Sequence, residues 1–144
     1  MEPHYFTVDV NWENGRQGMM SAHGLPQTIE VATPPQFPSG VPGIWSPEHL
    51  FTAAVSSCLM TTFLAIAENS KLEFKSLKIG SMGKLENIDG KFMMTEVVLE
   101  PELVIIHEKD MERAERVLQK SEAACLISNS IKAKVIMKST VTIG

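Results

Sequence analysis

Hydrophobic and polar residues alternate near the start of the chain and predict β-strands there. Residues 4–12 read as one strand, and Asn14-Gly15 is a hairpin signal because both central positions of a type I′ turn need positive φ. Further strands are expected from about Met19 and over residues 27–32. Residues 33–43 hold four prolines and two glycines, which predicts a loop without regular pairing.

A helix is predicted to begin at Ser46 and to run to about Asn69. Ser46 is a favourable N-cap, Pro47 suits the first helical position, and Glu48 faces the positive end of the helix dipole. Residues 50–67 carry no charge, but five of them are Ser or Thr, and acidic residues flank the run with no Lys or Arg close by. We therefore predict a core helix wrapped by other elements rather than a membrane span.

The remainder of the chain predicts a long hairpin, a second helix and a closing strand. Asp89-Gly90 divides residues 72–88 from residues 91–106, with irregularities expected at Gly80, Gly83 and Pro101. Residues 108–124 repeat apolar positions at helical spacing, residues 125–131 form a connector or a short helical turn, and residues 132–143 alternate as a strand.

These elements indicate an α+β fold with antiparallel sheets around a long central helix, in a single domain over residues 1–144. At 1.5 Å per residue the central helix would be about 36 Å long, too much apolar surface for one small domain to cover. Small side chains would let a second helix approach closely, at Ala53, Ala54, Ser56 and Ser57. We therefore predict an intertwined homodimer.

Composition and charge exclude several functional classes. The net charge is -4 without a local basic cluster, which argues against a nucleic-acid partner. Two cysteines are too few for a secreted disulfide framework, and the first residues lack the pattern of a signal peptide, so a cytoplasmic protein is predicted. The four histidines have no metal-ligand spacing, and no phosphate-binding or serine-hydrolase motif is present.

The candidate chemistry rests on Cys58 and Cys125. Buried cysteine often behaves as a small hydrophobe, whereas a reactive one needs a cation or helix dipole that lowers its pKa below about 8.5. Arg16, in the turn of residues 14–18, is the candidate cation, with a solvated hairpin tip as the alternative. His49, at the third helical position, is expected to serve as a cap or lie on the surface.

Three segments together resemble the OsmC/Ohr family of thiol peroxidases, named for osmotically inducible protein C and organic hydroperoxide resistance. These are GRQG in the first hairpin, SPEHLFTAAVSSCL at the start of the central helix, and ACLISNSI after the second helix. The resemblance spans nearly the whole chain in order. Its most specific part is the Ser-Pro-Glu helix start followed by a cysteine ten residues after the glutamate.

The resemblance implies roles for four residues. Cys58 matches the peroxidatic cysteine, Cys125 the resolving cysteine, Arg16 the arginine that holds the thiolate, and Glu48 the carboxylate that orients this arginine. It also implies an intertwined dimer with active sites at the interface, and a cofactor-independent reaction completed by an external dithiol, of lipoyl or other thiol type. The expected intermediates are a Cys58 sulfenic acid and a Cys58–Cys125 disulfide.

Helix geometry adds a constraint on how the four residues meet. Glu48 and Cys58 are ten residues apart, so on one helix they lie roughly 15 Å apart along the axis and about 80° apart around it. If Glu48 and Arg16 serve Cys58, we predict that they reach it from the partner subunit.

Organic hydroperoxides are the expected substrates if Phe37, Ile44 and Trp45 line an apolar mouth, but these residues suit a core equally well. A second class of function stays open, in which the same dimeric pocket binds an apolar acyl or thiol metabolite. In that class the protein is a non-catalytic binding module or a redox sensor.

Overall fold

The predicted mixture of strands and helices is present in the computed structural model, which describes residues 1–144. The α+β class is therefore confirmed. The chain forms two compact units, Met1–Leu50 and Phe51–Gly144, which are described in turn, and the single domain over residues 1–144 stays a prediction.

Three strands form an antiparallel meander in the first unit: β1 (Asp9–Asn14), β2 (Gln17–Ala22) and β3 (Leu25–Ala32). The first strand begins later than predicted, and its turn is placed one residue further along. Asn14 remains paired with Gln17, so Gly15 and Arg16 occupy the turn, and only Gly15 has positive φ, at 49°. A type I′ turn needs positive φ at both central residues, whereas a type II′ turn needs it only at the first, where glycine is usual.

The helix α1 (Pro47–Asn69) begins where the sequence predicts. The backbone N–H of His49 donates to Ser46 Oγ (3.2 Å), and the Ser46 N–H donates to His49 Nδ1 (3.2 Å). This is a reciprocal capping box in which a histidine takes the place usually held by Glu or Gln. The prediction that His49 serves as a cap is confirmed.

The carboxyl end of α1 is closed by a residue in the left-handed conformation. Lys71 has φ 55°, and the Leu72 N–H donates to Ala67 O (2.9 Å) while the Lys71 N–H donates to Glu68 O (3.1 Å). This is the Schellman pattern, normally made with glycine. Arg113 reinforces it by donating from Nη1 to Ser70 O at 2.8 Å.

A long hairpin forms the framework of the second unit. Its strands are β4 (Phe74–Ile88) and β5 (Lys91–Ile105), and the turn residues Asp89 and Gly90 have φ values of 51° and 85°, as a type I′ turn requires. The predicted irregularities were wrong, since Gly80, Gly83 and Pro101 keep the regular register. The register shifts lie instead between Phe74 and Ser76 and between Lys84 and Leu85.

The end of the chain differs from the predicted single strand. It forms two short strands, β6 (Lys134–Met137) and β7 (Thr140–Ile143), which both pair with β5 in the parallel direction. The helix α2 (Met111–Ala124) and its connector carry the chain back along the sheet, which is the crossover that a parallel pair needs. The second sheet is therefore mixed: its long hairpin is antiparallel, in keeping with the largely antiparallel sheet predicted, and its last two strands are parallel.

The core of the second unit lies between the helices and this sheet. One cluster joins α1 and α2 to β5, and its fully buried members include Phe63, Leu103 and Leu118. A second cluster packs α1 against β5 further along the helix, through Val55, Leu59, Val97 and Leu99.

The helix α1 is covered on one side only. Only 28% of the residues in its most apolar 18-residue stretch are buried. Within the uncharged residues 50–67, the exposed positions recur at helical spacing and form a mostly apolar face, which we call the uncovered stripe: Ser57, Met60, Thr61, Leu64 and Ala65. The central helix predicted from the sequence therefore needs a further covering surface.

Candidate functional site

The two cysteines lie together in the second unit. Cys58 projects from the buried side of α1, and Cys125 is the first residue after α2. Both are free thiols, and they lie close enough that each shifts the pKa of the other. Cys58 keeps 8% of its surface exposed and Cys125 keeps none, so only the first is open to a reagent in this chain.

The environment of Cys58 favours its thiolate. Burial is the largest influence and raises the pKa of the thiol, but four hydrogen bonds oppose it and the pKa falls below the ordinary value of cysteine. The donors are the Cys125 thiol, the Ile127 backbone, the Thr62 hydroxyl and the Leu126 backbone. Hydrogen bonds to the charged form stabilise it, as is required of a nucleophilic cysteine.

The environment of Cys125 has the opposite effect. Burial and the hydrogen bond to Cys58 raise the pKa of the Cys125 thiol, and only the backbone and side chain of Ser128 lower it. At a pH between the two pKa values, Cys58 carries the negative charge and Cys125 keeps its proton. The pair is thus divided into a thiol that ionises more readily than ordinary cysteine and one that ionises less readily.

The connector after α2 places donors beside both sulfur atoms. Cys125 has an extended backbone (φ -66°, ψ 110°) that ends the helix. The chain then turns, and the Asn129 N–H donates to Cys125 O at 3.0 Å. The turn brings the N–H groups of Leu126 and Ile127 to the Cys58 sulfur and that of Ser128 to the Cys125 sulfur.

Helical spacing sets the position of Thr62 relative to Cys58. It lies four residues after Cys58, on the same side of α1, with its Oγ1 3.9 Å from Cys58 Sγ. The neighbouring Thr61 directs its hydroxyl to the Cys58 carbonyl oxygen instead, at 3.2 Å. Of the two adjacent threonines, only Thr62 contacts the sulfur.

The other two predicted residues lie together in the first unit. Arg16, in the turn between β1 and β2, and Glu48, in the first turn of α1, line one open cavity of about 500 Å³. Trp12 and Phe37 line the same cavity, so its charged groups lie beside aromatic surface. The structure thus brings the predicted site residues together as two pairs, Cys58 with Cys125 and Arg16 with Glu48.

His49 is engaged in structure rather than in the thiol chemistry. Its Nδ1 also lies 2.7 Å from Ser46 Oγ, and its ring packs edge-on against Trp45 at a centroid distance of 6.0 Å. No group of three or more His, Cys, Asp or Glu residues that could hold a metal ion is found in the structure.

The sequence reasoning missed the uncharged donors around the thiols. The sequence analysis named a cation, Arg16, as the group that lowers the pKa of Cys58. Within the second unit the groups that lower it are instead a thiol, a hydroxyl and two backbone N–H groups. Thr62 was visible as a hydroxyl four residues from Cys58 on a predicted helix. The contributions of Leu126 and Ile127 come from the backbone, and no side-chain pattern reveals them.

Residues 40–140 match the family model described as OsmC-like protein. The chain belongs to the OsmC family. The matched part contains α1, the long hairpin, α2 and both cysteines, so membership rests on the elements that build the thiol pair.

Two relatives of this OsmC family member are similar over nearly their whole length. The uncharacterized protein YmaD of Bacillus subtilis is 25% identical over 138 residues, which cover 94% of this chain and 91% of the relative. An OsmC-like protein of unknown function from Vibrio cholerae is 25% identical and superposes with a TM-score of 0.86, over 96% of this chain and 100% of that one.

Solved structures with functional names share the fold at lower identity. An organic hydroperoxide resistance protein OsmC from Legionella pneumophila is 22% identical with a TM-score of 0.77, covering 99% of both chains. The organic hydroperoxide resistance protein OhrB of Bacillus subtilis is 21% identical with a TM-score of 0.69, over 95% of this chain and 98% of that one. The resemblance noted from the three sequence segments is therefore confirmed at the level of family and fold.

The OsmC fold also bears on α1, which by length and composition alone is apolar enough to cross a membrane. The helix packs its buried residues against β5 in both core clusters, in a fold shared with the structures above. This supports the interpretation of α1 as a core helix.

Proposed function

We propose that this OsmC family member is a cysteine-based, thiol-dependent peroxidase that reduces organic hydroperoxides to alcohols. The observation that carries the proposal is the proximity of two free thiols, Cys58 and Cys125, whose pKa values are moved in opposite directions. A lowered pKa and partial exposure are what a thiol needs to attack a peroxide. A protonated thiol in contact with it is what the resulting sulfenic acid needs to form a disulfide.

In the first step the Cys58 thiolate attacks one oxygen of the peroxide. The S–O bond forms, the O–O bond breaks, and the electron pair leaves with the alkoxide, which takes a proton and departs as the alcohol. Cys58 is thereby oxidised to a sulfenic acid, the first stage of cysteine oxidation.

In the second step Cys125 attacks the sulfenic sulfur. The S–S bond forms, the S–O bond breaks, and the hydroxyl group leaves as water with the proton of the Cys125 thiol. Because the two thiols lie close enough to shift each other's pKa, we expect the connector to move only a short distance. An external dithiol, of lipoyl or other thiol type, then reduces the disulfide by exchange.

Arg16 and Glu48 are assigned to the same reaction through a homodimer, in which these residues of one subunit serve Cys58 of the other. The uncovered stripe supports the dimer, since Met60 and Leu64 keep 42% and 43% of their surface exposed in the single chain. A guanidinium held by a carboxylate presents a fixed fork of donors, suited to the thiolate and the departing alkoxide.

Organic rather than hydrogen peroxides are proposed because the cavity that holds Arg16 and Glu48 also exposes aromatic surface. Trp12 and Phe37 offer apolar contact to the alkyl part of a substrate. No bound cofactor takes part in the proposed cycle, and a cytoplasmic location would supply the dithiol reductant.

Turnover of cumene hydroperoxide with dithiothreitol as reductant tests the proposal. The wild-type protein should consume peroxide catalytically. Cys58→Ser should abolish this activity, whereas Cys125→Ser should still be oxidised once, to a sulfenic acid that dimedone traps. A wild-type protein that neither turns over nor forms the Cys58–Cys125 disulfide on exposure to peroxide would refute the peroxidase function.

The binding-module alternative is favoured by one observation, the cavity of about 500 Å³ in the first unit. A protein without turnover that binds cumyl alcohol or a fatty acid in calorimetry, with the same affinity after Cys58→Ser, would support it. The peroxidase proposal expects turnover that depends on Cys58.

The dimer is tested separately by sedimentation. Leu64→Glu places a charge in the uncovered stripe, and burial of an unpaired charge is strongly unfavourable. We expect the wild-type protein to sediment as a dimer and the variant to dissociate at the same concentration. A monomeric wild-type protein would refute the proposed assignment of Arg16 and Glu48 to a partner's thiol.

A further inference from the structure

Ser128 is a buried hydroxyl that the mechanism above leaves unused. Its Oγ is inaccessible to solvent and makes no hydrogen bond in the dithiol form. Ser128 follows Cys125 by three positions, in the turn that the Asn129 N–H closes by donating to Cys125 O at 3.0 Å. From there both its backbone N–H and its side chain lower the pKa of the Cys125 thiol. Burial of an unsatisfied hydroxyl costs stability, so its position next to a sulfur that changes charge calls for an explanation.

The direction of disulfide reduction follows from exposure. In the single chain Cys58 retains 8% of its surface and Cys125 retains none, so we take Cys58 as the residue that an external thiolate attacks. Attack at Cys58 forms a mixed disulfide with the reductant and breaks the Cys58–Cys125 bond. The electron pair of the broken bond goes to Cys125, which leaves as a thiolate.

Cys125 is a poor leaving group unless that charge is stabilised. Burial and the neighbouring Cys58 raise the pKa of its thiol, and thiol exchange slows as the pKa of the leaving thiol rises. Among the groups that act on Cys125, only those of Ser128 favour the charged form. Thr62 and the N–H groups of Leu126 and Ile127 act on Cys58 instead.

We propose that the Ser128 hydroxyl donates a hydrogen bond to the Cys125 thiolate as it departs, and so assists the reductive half of the cycle. Ser128 then serves disulfide reduction, while Thr62 serves the attack on peroxide. The inference rests on the proposed function in that it takes the Cys58–Cys125 disulfide as the species that a dithiol reduces.

The chain offers a matched control in Ser130. Its Oγ donates to the Leu126 carbonyl oxygen at 2.7 Å in the same connector, and the residue is exposed. Ser130→Ala therefore removes a hydroxyl and a local hydrogen bond from this segment without removing a donor to either sulfur.

The experiment begins from the disulfide, formed with diamide so that no peroxide is needed. Wild type, Ser128→Ala, Ser128→Thr and Ser130→Ala are mixed with dithiothreitol, and released thiols are trapped and counted by mass spectrometry. Ser128→Ala should be reduced roughly tenfold more slowly, because a hydrogen bond to a charged group is lost. Ser128→Thr, which keeps the hydroxyl, should recover most of the rate, and Ser130→Ala should match the wild type.

A second measurement follows the ionisation of the Cys125 thiol directly. In the Cys58→Ser background, absorbance at 240 nm titrates the remaining thiol, and Ser128→Ala should move that titration to higher pH while Ser130→Ala leaves it in place. A hydroxyl that only fills space would not produce this pattern.

Three outcomes would overturn the inference: equal reduction rates for wild type and Ser128→Ala, equal slowing by Ser130→Ala, or no disulfide formed by diamide in the wild type. A wild-type protein that neither turns over peroxide nor forms the disulfide with it would refute the proposed function but leave this test intact, since diamide and dithiothreitol bypass the peroxide.

Discussion

Replacement of Thr62 by valine tests the uncharged donors as the source of the reactivity of Cys58. Valine keeps the β-branched shape of threonine and removes the hydroxyl. The change removes one donor, which lies 3.9 Å from Cys58 Sγ. Thr61→Val is the matched control, because the Thr61 hydroxyl bonds the backbone carbonyl of Cys58 at 3.2 Å.

The expected magnitude follows from the length of this contact. A hydrogen bond to a charged group contributes about 1.5 to 3 kcal/mol, and a contact this long belongs at the low end. A loss of about 1.4 kcal/mol reduces the thiolate fraction tenfold at a pH below both pKa values. The remaining thiolate is more basic and about threefold more nucleophilic, so the net rate of alkylation at low pH should fall about threefold.

The same reasoning predicts that the two pH profiles cross. Once both proteins are fully ionised at high pH, the more basic thiolate of Thr62→Val should react about threefold faster than the wild type. Iodoacetamide alkylation of Cys58 across pH, followed by peptide mass spectrometry, measures both ends of the profile. A purely structural effect would slow the reaction at every pH, and a Thr62→Val profile that superposes on those of the wild type and Thr61→Val would refute the reasoning.

Three further predictions concern other parts of the molecule. Arg16→Lys keeps the charge but loses the planar fork, so peroxide turnover should fall by at least about tenfold; wild-type kinetics would leave Arg16 as a hairpin tip. Gly83→Ala should destabilise by about 2 kcal/mol in urea unfolding at fixed protein concentration, because its Cβ would overlap the side chains of Thr52 and Met94. Lys71→Gly should stabilise by about 0.5 to 1 kcal/mol, since glycine adopts the left-handed conformation without strain.

Local signals explain which parts of the fold were predictable. Ser46 and Pro47 mark the start of α1 because a cap needs only neighbouring residues, and α1 begins at Pro47. Asp89-Gly90 fixes the hairpin for the same reason, since both residues adopt positive φ. Cys58, Cys125 and Arg16 were singled out by residue type and place, whereas Glu48 and the roles of all four residues came from a resemblance.

Non-local pairing explains what the sequence could not supply. The parallel pairing of β6 and β7 depends on where α2 returns the chain, and an alternating pattern is the same for parallel and antiparallel strands. The register shift between Lys84 and Leu85 is likewise set by the partner strand, and it falls beside a glycine that keeps its register. The donors from Leu126 and Ile127 have no side-chain signature because the backbone makes them.

Cys58 lies next to the surface that the proposed dimer would cover, so dimer formation would change the environment of this thiol. Cys58 lies between Ser57 of the uncovered stripe and the buried Leu59, so a molecule that covers the stripe comes within one residue of the reactive sulfur. Covering would remove water from the thiol and raise its pKa further unless donors replaced that water. Thr62 and the connector supply such donors from within the subunit, and the proposed guanidinium of Arg16 would arrive with the covering surface itself. In the proposed dimer, the ionisation of Cys58 would be set in two stages, first by uncharged donors that fold with the thiol and then by a cation that association brings.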